Sequence, residues 1–527
     1  MRRSLLLIAS IIAAHDQSCS SLPFGSRPKN AAGAVEENDA DDQEQEKTAV
    51  RGAASKLSKS EEAYIASSTS TTAASTIVET FFQNTIIDDV EISTSLKDTL
   101  HEMANTSEMH DFLQTARRAL HRNPELMYEL PFTSDTIQTI LTELNISYTT
   151  GWAKNIRQDA YPGPGGYGIV AHIGTQDADQ PCIILRADMD ALPIEEATRN
   201  IDTFKSHHEG KIHACGHDGH VTMLLGAAAL LKQLEDQMVG TIRLVFQPAE
   251  EGGAGMKRMV EEGVATLVPK VSLAFGMHVW PTLPTGTIAT RPGPLMAAAE
   301  MFTITIHGKG GHAAMPHLTI DPIVAASSLV SNLQSIVSRT ISPLESGVIS
   351  VTAISAGDAF NVIPASATLK GTIRALSTDM LMSLRDRVGR MAETTASLHG
   401  CNATIAYSPD FYPPTVNDAE LHEWSTGVGA LVSHEGKVRD TVPTMGGEDF
   451  AFLAEAVPST FFFVGQGSGG DERYHVPRTD YGLHHPSFAL DEEVLPIGVE
   501  LHANLALRSL KKLALSEESE EITKAEL

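Results

Sequence analysis

The stretch Val221–Leu234 reads VTMLLGAAALLKQL. It is made of strong helix formers and is apolar around most of its circumference, so it predicts a helix packed against a larger apolar surface. That surface is legible on both sides of it. Cys182–Leu185, Ile242–Phe246 and Ser272–Phe275 are short apolar runs bounded by polar residues and turns. Such runs suit strands buried on both faces of a largely parallel sheet. Strands alternating with helices predict an α/β fold: a mixed, largely parallel sheet with helices on both faces.

Further along the chain the rhythm changes. Phe302–Ile306 alternates like a strand, Pro322–Ser338 reads as a helix, and Val348–Ile354 and Thr368–Ile373 read as strands. Met380–Leu398 is again helical and Thr404–Tyr407 again a strand. The order β-α-β-β-α-β is that of a ferredoxin-like unit, which forms its own small sheet. Residues 298–412 are therefore expected to be a domain inserted into a larger one formed by 108–297 and 413–513. Upstream, residues 21–107 are rich in Ser, Thr, Ala and acids and predict a disordered leader. Residues 514–527 predict an acidic tail.

Of 527 residues, 42% are hydrophobic and 20% charged, an ordinary globular composition in a chain long enough for more than one domain. The formal charge is 39 − 66 = −27, which argues against a nucleic-acid partner. Part of it is local, in the acids from Glu36 to Glu46 and from Glu517 to Glu526. Met1-Arg2-Arg3 followed by the apolar run Leu5–Ala14 matches a secretory signal peptide over residues 1–20, and the run is too short to span a bilayer. No later run is long and apolar enough for a membrane span. The end Lys524-Ala525-Glu526-Leu527 is one substitution away from the K-D-E-L retrieval signal. Together these predict the secretory pathway, either retained in the endoplasmic reticulum lumen or secreted. Sequons at Asn105, Asn145 and Asn402 are compatible with that lumen. Four cysteines, Cys19, Cys182, Cys215 and Cys401, are too few for a disulfide framework.

Chemistry-bearing residues gather at the ends of the expected strands. They fall in RADMDALP (Arg186–Pro193), HACGHDGH (His213–His220), QPAEEGG (Gln247–Gly253), GMHVW (Gly276–Trp280) and LHHPSF (Leu483–Phe488). In open α/β sheets, sites lie beyond the carboxyl ends of strands. Cys215 and His217 bracket a glycine, and a loop there can aim thiolate and imidazole at one divalent ion. The competing readings of Cys215 are a disulfide with Cys182 or a buried thiol. His213 and His220 are read as structural or supporting. Adjacent Glu250 and Glu251 follow a strand; if extended, their side chains point to opposite sides, one to a metal and one to substrate as a base. The competing reading is a solvated acidic turn. His278 and His484 carry weight only as members of the set.

At this point the chain resembles the M20 metallopeptidase family, in its aminoacylase and amidohydrolase branch. That branch includes hippurate hydrolases and hydrolases of indole-acetate–amino-acid conjugates. The resemblance runs from RRALHRNPELMYE (Arg117–Glu129) to about Leu513, and also takes in GKGGHAAMP (Gly308–Pro316), FNVIP (Phe360–Pro364) and TMGGEDF (Thr444–Phe450). It implies that the inserted domain is a dimerisation or lid domain, making a homodimer. It implies two divalent metal ions per subunit (Mn or Zn, with Co or Ni as alternatives), held by Cys215, His217, Glu251, His278 and His484. His484 is preferred to His485. Asp188 stands where many relatives have a metal-binding His, and Asp190 is expected to orient a ligand. Glu250 becomes the general base, and His312 stabilises the oxyanion, across a dimer. Asn361 and Arg374 fall at substrate-binding positions, although Arg374 also reads as a solvated strand-end charge.

The expected reaction is hydrolysis of an N-acyl amino acid, with indole-acetyl or benzoyl acyl groups, by metal-activated water whose proton Glu250 takes. A dipeptidase or carboxypeptidase of the same mechanism is the enzyme alternative. A silent binding homologue is the third reading, disfavoured because no expected ligand is missing.

Overall fold

The computed structural model describes residues 90–526 except 468 and 471–476, together with 10, 12 and 13; side chains are described from 95 to 516. The Lys524–Leu527 end therefore has no described side chains, and Cys19 and nearly all of the expected signal peptide lie outside the described residues.

Helices α1 (Val90–Ala104), α2 (Ser107–Arg122) and α3 (Pro131–Glu143) lead into strands β1 (Ser147–Lys154), β2 (Gly165–Gly174) and β3 (Cys182–Asp188). Then come α4 (His217–Gln233), β4 (Thr241–Gln247), α5 (Gly255–Glu261), β5 (Val271–Trp280), β6 (Ile288–Thr290) and β7 (Gly293–Met296). The inserted unit holds β8 (Ala298–His307), β9 (Gly311–His312), α6 (Pro322–Thr340), β10 (Gly347–Ser355), β11 (Val362–Ile363), β12 (Ser366–Ala375), α7 (Thr378–Leu398) and β13 (Asn402–Tyr407). The chain closes with β14 (Thr415–Asn417), α8 (Ala419–Val432), β15 (Val438–Asp440), α9 (Ala451–Ala456), β16 (Ser459–Gly465) and α10 (Val494–Glu526).

The large sheet has eight strands in the order β1-β2-β4-β3-β5-β16-β6-β15. Its centre, β4-β3-β5-β16, is parallel, and β1 and β2 join antiparallel at one edge. Alternate residues along the central strands feed two separate cores. Ile183, Leu185, Leu244 and Phe275 pack with α4 and α10, whereas Ile184, Val245, Ala274 and Phe461 pack with α5 and α9. This two-sided burial is what makes those strands read as unbroken apolar runs.

The inserted sheet is fully antiparallel, in the order β10-β12-β8-β13, and buries one face under α6 and α7. Numbered within the unit, that is order 2-3-1-4, as a ferredoxin-like unit requires. The short ladder β9–β11, which pairs His312 with Val362, has no counterpart in the sequence reading.

One expectation needs correction. Regular structure begins before residue 108: α1 occupies 90–104, buries Leu100 and Ala104 in the core, and His101 and Asn105 hydrogen-bond Glu500 of α10 at 2.9 and 2.7 Å. Helix α10 runs through the expected acidic tail to Glu526. Among the described residues, no helix is long and apolar enough to cross a membrane.

Candidate active site

The C-terminal ends of β4 and β5 open onto one cavity of about 450 Å³. Its walls include Cys215, Glu250, Glu251, His278 and His484 from the large sheet's side and Arg374 from the inserted sheet. Neither His312 nor Asn361 is among its lining residues. Those two sit together elsewhere on the inserted unit, where the Ala313 N–H donates to the Asn361 carbonyl at 2.9 Å.

Each side chain at the cavity floor arrives by a different local device. Gly216 has φ of +86°, and a Cβ there would meet Val279 Cγ2 at 2.4 Å, so only glycine lets Cys215 turn in and α4 start. His217 is consequently the first residue of α4 rather than a loop residue, and His220 lies one turn on, their rings stacked at 5.5 Å. The sequence reading began this helix later because its first turn is polar. That turn is buried because Arg117 and His121 hold Asp218 at 3.0 and 2.8 Å, and Asp188 holds His220 at 2.6 Å. His278 lies inside β5, which runs on to Trp280. Its Nδ1 donates to the Val279 carbonyl at 2.7 Å, leaving Nε2 to face Cys215 Sγ at 3.3 Å.

Glu250 and Glu251 diverge because of a turn, not because of an extended strand. Ala249 and Ala254, flanking the pair, have φ of +57° and +55°, conformations that cost an L residue energy and need outside support. Asp190 supplies part of it, accepting the Glu250 and Glu251 N–H groups at 2.8 and 3.1 Å. Tyr412 supplies more: its hydroxyl donates to the Glu250 carbonyl at 2.6 Å and accepts from the Ala254 N–H at 3.0 Å. Burial, with Asp449 and Glu250 nearby, holds the Tyr412 phenol protonated well above its usual range.

Five overlapping groups of donor atoms occur, the atoms of each within 4.8 Å of one another: Cys215 with His217 and His278, Cys215 with Glu251 and His484, His217 with Glu250 and Glu251, Asp188 with His217 and His220, and Glu250 with Glu448 and Asp449. Shared members suit two neighbouring cations. The side chains fit that occupancy. Both ring nitrogens of His217 are buried without a hydrogen-bond partner, a costly state unless a ligand satisfies them. Burial opposes charge on His217, yet Asp188, Asp190 and Glu251 raise its pKa to about 10, the sign of a site with excess negative charge. Burial, reinforced by Glu251 and Glu250, pushes the Cys215 thiol up, and a neighbouring cation is what would bring it to the thiolate. Burial and the carboxylates of Glu448, Glu251 and Asp449 push Glu250 well above the usual carboxylate range.

The same geometry separates donors from supports. His220 has both nitrogens engaged, Nδ1 with Asp188 and Nε2 accepting from the Val279 N–H at 2.9 Å. Asp188 divides its oxygens between His220 and Arg186. Cys182, Cys215 and Cys401 are all free, so Cys215 is not in a disulfide with Cys182. His484 Nε2 lies 3.1 Å from Glu251 Oε1, whereas the His485 ring stacks on Tyr481 at 4.6 Å and its Nδ1 accepts from the Ser487 N–H. His484→Ala is therefore expected to weaken binding of the more loosely held metal at least about 100-fold, while His485→Ala leaves it within a factor of a few. Metal content after dialysis against a weak chelator measures this, and equal losses from both variants would refute the distinction.

Four residues of the cavity were not singled out by the sequence. Trp280, stacked on Phe463 at 4.0 Å, and Glu448 line it. Arg186 lies beneath it, ion-paired to Asp188, Glu448 and Asp449 at 2.9–3.0 Å. Arg186 and Glu448 lie in the motifs RADMDALP and TMGGEDF, which was a usable signal; Tyr412 had none.

Comparison with known proteins identifies the family. Residues 184–508 match the sequence profile of Peptidase family M20/M25/M40. The chain is 43% identical over 418 residues to the IAA-amino acid hydrolase ILR1-like 4 of Arabidopsis thaliana, covering 79% of this chain and 89% of the relative. It is 38% identical over 404 residues to an N-acetylcysteine deacetylase of Bacillus subtilis, covering 77% and 98%. The crystal structure of the Bacillus subtilis YXEP protein, described as a dinuclear metal binding peptidase of the M20 family, superposes with a TM-score of 0.61 at 34% identity, covering 76% of this chain and 98% of that one. A donor cluster suited to two cations at the ends of parallel strands, in a chain this similar to those relatives, has one explanation: the protein belongs to peptidase family M20/M25/M40 and is a metal-dependent hydrolase of amide bonds.

Proposed function

We propose that the protein hydrolyses the amide bond of N-acyl amino acids, with Glu250 as general base and Cys215, His217, Glu251, His278 and His484 as metal ligands. The observation that carries this reading is one cavity holding the donor cluster, the Glu250 carboxylate and the Arg374 guanidinium together. Arg374 is anchored through Nη1 to the Met445 carbonyl at 2.9 Å and suits the α-carboxylate of an amino acid. Trp280, Met296 and Leu483 give the same cavity apolar walls for an acyl group such as indole-acetyl or benzoyl. The relative named an IAA-amino acid hydrolase supports that choice.

Two divalent ions, Mn or Zn first and Co or Ni as alternatives, supply when bound a lowered pKa for water and polarisation of the amide carbonyl. Glu250 takes the proton of the attacking water and delivers it to the leaving amine. Asp190 fixes the backbone on which Glu250 sits, and Asp188 fixes His220 against the backbone of Val279. His312 of a second subunit stabilises the oxyanion in a homodimer made through the inserted domain. Exposed Phe360, Val362 and Ile354, close in the chain to Asn361 and the β9–β11 ladder, supply apolar surface for that contact. The charged leader Met1-Arg2-Arg3 and the Lys524–Leu527 end support a location in the secretory pathway.

The test is amino-acid release from a panel of N-acyl amino acids and free dipeptides by metal-reconstituted protein. Release from the acylated panel is expected; release from dipeptides alone would move the assignment to a peptidase. Removing metal with a chelator is expected to abolish release and to lower the thermal midpoint by several degrees, because an ion bound only by the folded state stabilises it. Full activity after exhaustive chelation would overturn the metal assignment.

A further inference from the structure

The return linker from the inserted domain, Ser408–Pro414, does more than connect. Its backbone is paired with the start of β8, the first strand of the inserted sheet: the Ala299 N–H donates to the Tyr412 carbonyl at 2.9 Å and the Tyr412 N–H to the Ala299 carbonyl at 2.8 Å. One turn earlier, the Asp410 carboxylate accepts from Lys257 Nζ at 2.7 Å and from Arg258, both on α5, and from the Tyr161 hydroxyl at 3.4 Å. Helix α5 begins at Gly255, directly after the turn that carries Glu250 and Glu251. The linker thus grips the base-bearing turn at both ends. Asp410 holds the helix that follows it, and the Tyr412 hydroxyl holds the turn itself, between the Glu250 carbonyl and the Ala254 N–H.

That turn is closed by its own backbone bonds, Gly252 N–H to the Glu250 carbonyl and Gly255 N–H to the Ala249 carbonyl, but it is strained, because Ala249 and Ala254 both sit at positive φ without being glycine. Asp190 fixes its N–H groups from the side of the large sheet. The Glu250 carbonyl is held from inside the turn by the Gly252 N–H at 2.6 Å and from outside it by the Tyr412 hydroxyl at 2.6 Å, the one hold that reaches it from the linker. A rotation of the inserted domain carries β8 with it and so bears on Tyr412, which is bonded to β8 through its backbone and to the Glu250 turn through its hydroxyl. We infer that Tyr412 is a positioning residue which couples the placement of the inserted domain to the placement of the Glu250 carboxylate, with Asp410 clamping the same linker to α5. The base would then reach its working position only when the inserted domain, which brings Arg374 to the cavity, is seated.

This inference rests on Glu250 being the base. Tyr412→Phe keeps the ring and its burial and removes only the hydroxyl. In the metal-reconstituted full chain it is expected to lower kcat about 10- to 100-fold with KM and metal content unchanged, since a small misplacement of a catalytic group costs that much. A purely structural hydroxyl would instead lower the thermal midpoint and leave kcat per folded, metal-loaded molecule unchanged, and that result would overturn the inference. An equal rise in KM would also overturn it, pointing to substrate binding. Should Tyr412→Phe fail to fold, Asp410→Asn decides by the same criterion, because it removes the charge through which the linker holds both Lys257 and Arg258 of α5: a fall in kcat alone supports the coupling, and an unchanged kcat refutes it. Glu250→Gln run in parallel separates the two claims. If Glu250→Gln stays active, the base assignment fails; if Glu250→Gln is inactive and Tyr412→Phe is fully active, the coupling fails.

Discussion

Glu250→Gln is expected to lower kcat about 10²- to 10⁴-fold, the usual contribution of a positioned general base. The substitution keeps size and shape and removes only the ability to accept and return a proton. Its selectivity follows from where the side chain sits. The Glu250 carboxylate is buried among Glu448, Glu251 and Asp449, and the Asp449 N–H lies 3.4 Å from its Oε1. A neutral amide in that place relieves like-charge repulsion, so the denaturant midpoint is expected to stay or rise. None of the five assigned ligands is altered, so metal content is expected to match the unmodified protein. The combination of lost turnover, retained metal and retained stability is the signature of a base. Turnover within about threefold of the unmodified enzyme would remove Glu250 from that role, and loss of metal together with activity would make it a ligand instead.

The largest expected effect on stability comes from a residue that never meets substrate. Arg186 is fully buried and pairs with Asp188, Glu448 and Asp449 while its Nε donates to Gln247 Oε1 at 2.7 Å. It is the cation that lets three carboxylates lie under the cavity. Arg186→Met fills much of the volume but leaves those charges without compensation, at a cost of about 3–5 kcal/mol, the usual penalty for breaking a buried ion pair from one side. Against a total stability of about 5–15 kcal/mol, that is a large fraction. The measurement is the denaturant midpoint of both proteins, with and without metal. Adding Asp449→Asn to the Met variant is expected to recover part of the loss, because one uncompensated charge is then removed. A midpoint unchanged in Arg186→Met would mean that the carboxylates take up protons at little cost and that the arginine is dispensable.

The α/β order and the inserted β-α-β-β-α-β unit follow from sequence alone, and the reason is physical. Strands buried on both faces must be continuously apolar, and the strands of a sheet covered on one face must alternate, so Ile242–Phe246 and Phe302–Ile306 announce their surroundings. The candidate site was legible as a set: Cys215 and His217 bracket a glycine, Glu250 and Glu251 follow a strand where charge is costly unless used, and His278 and His484 gained their weight only beside them and from the family resemblance. Tertiary structure alone decided the rest. The polar first turn of α4 is buried because distant side chains, Arg117, His121 and Asp188, satisfy it, and α1 is docked by Leu100 and Ala104 in the core together with His101 on Glu500. The divergence of Glu250 from Glu251, the hold of Tyr412 on that turn, and the distance of His312 and Asn361 from the cavity wall depend on how two sheets meet across a pair of linkers. A chain's local pattern records which groups are buried, but not which remote group lies opposite each of them, and at this site it is those opposing pairs that set the geometry.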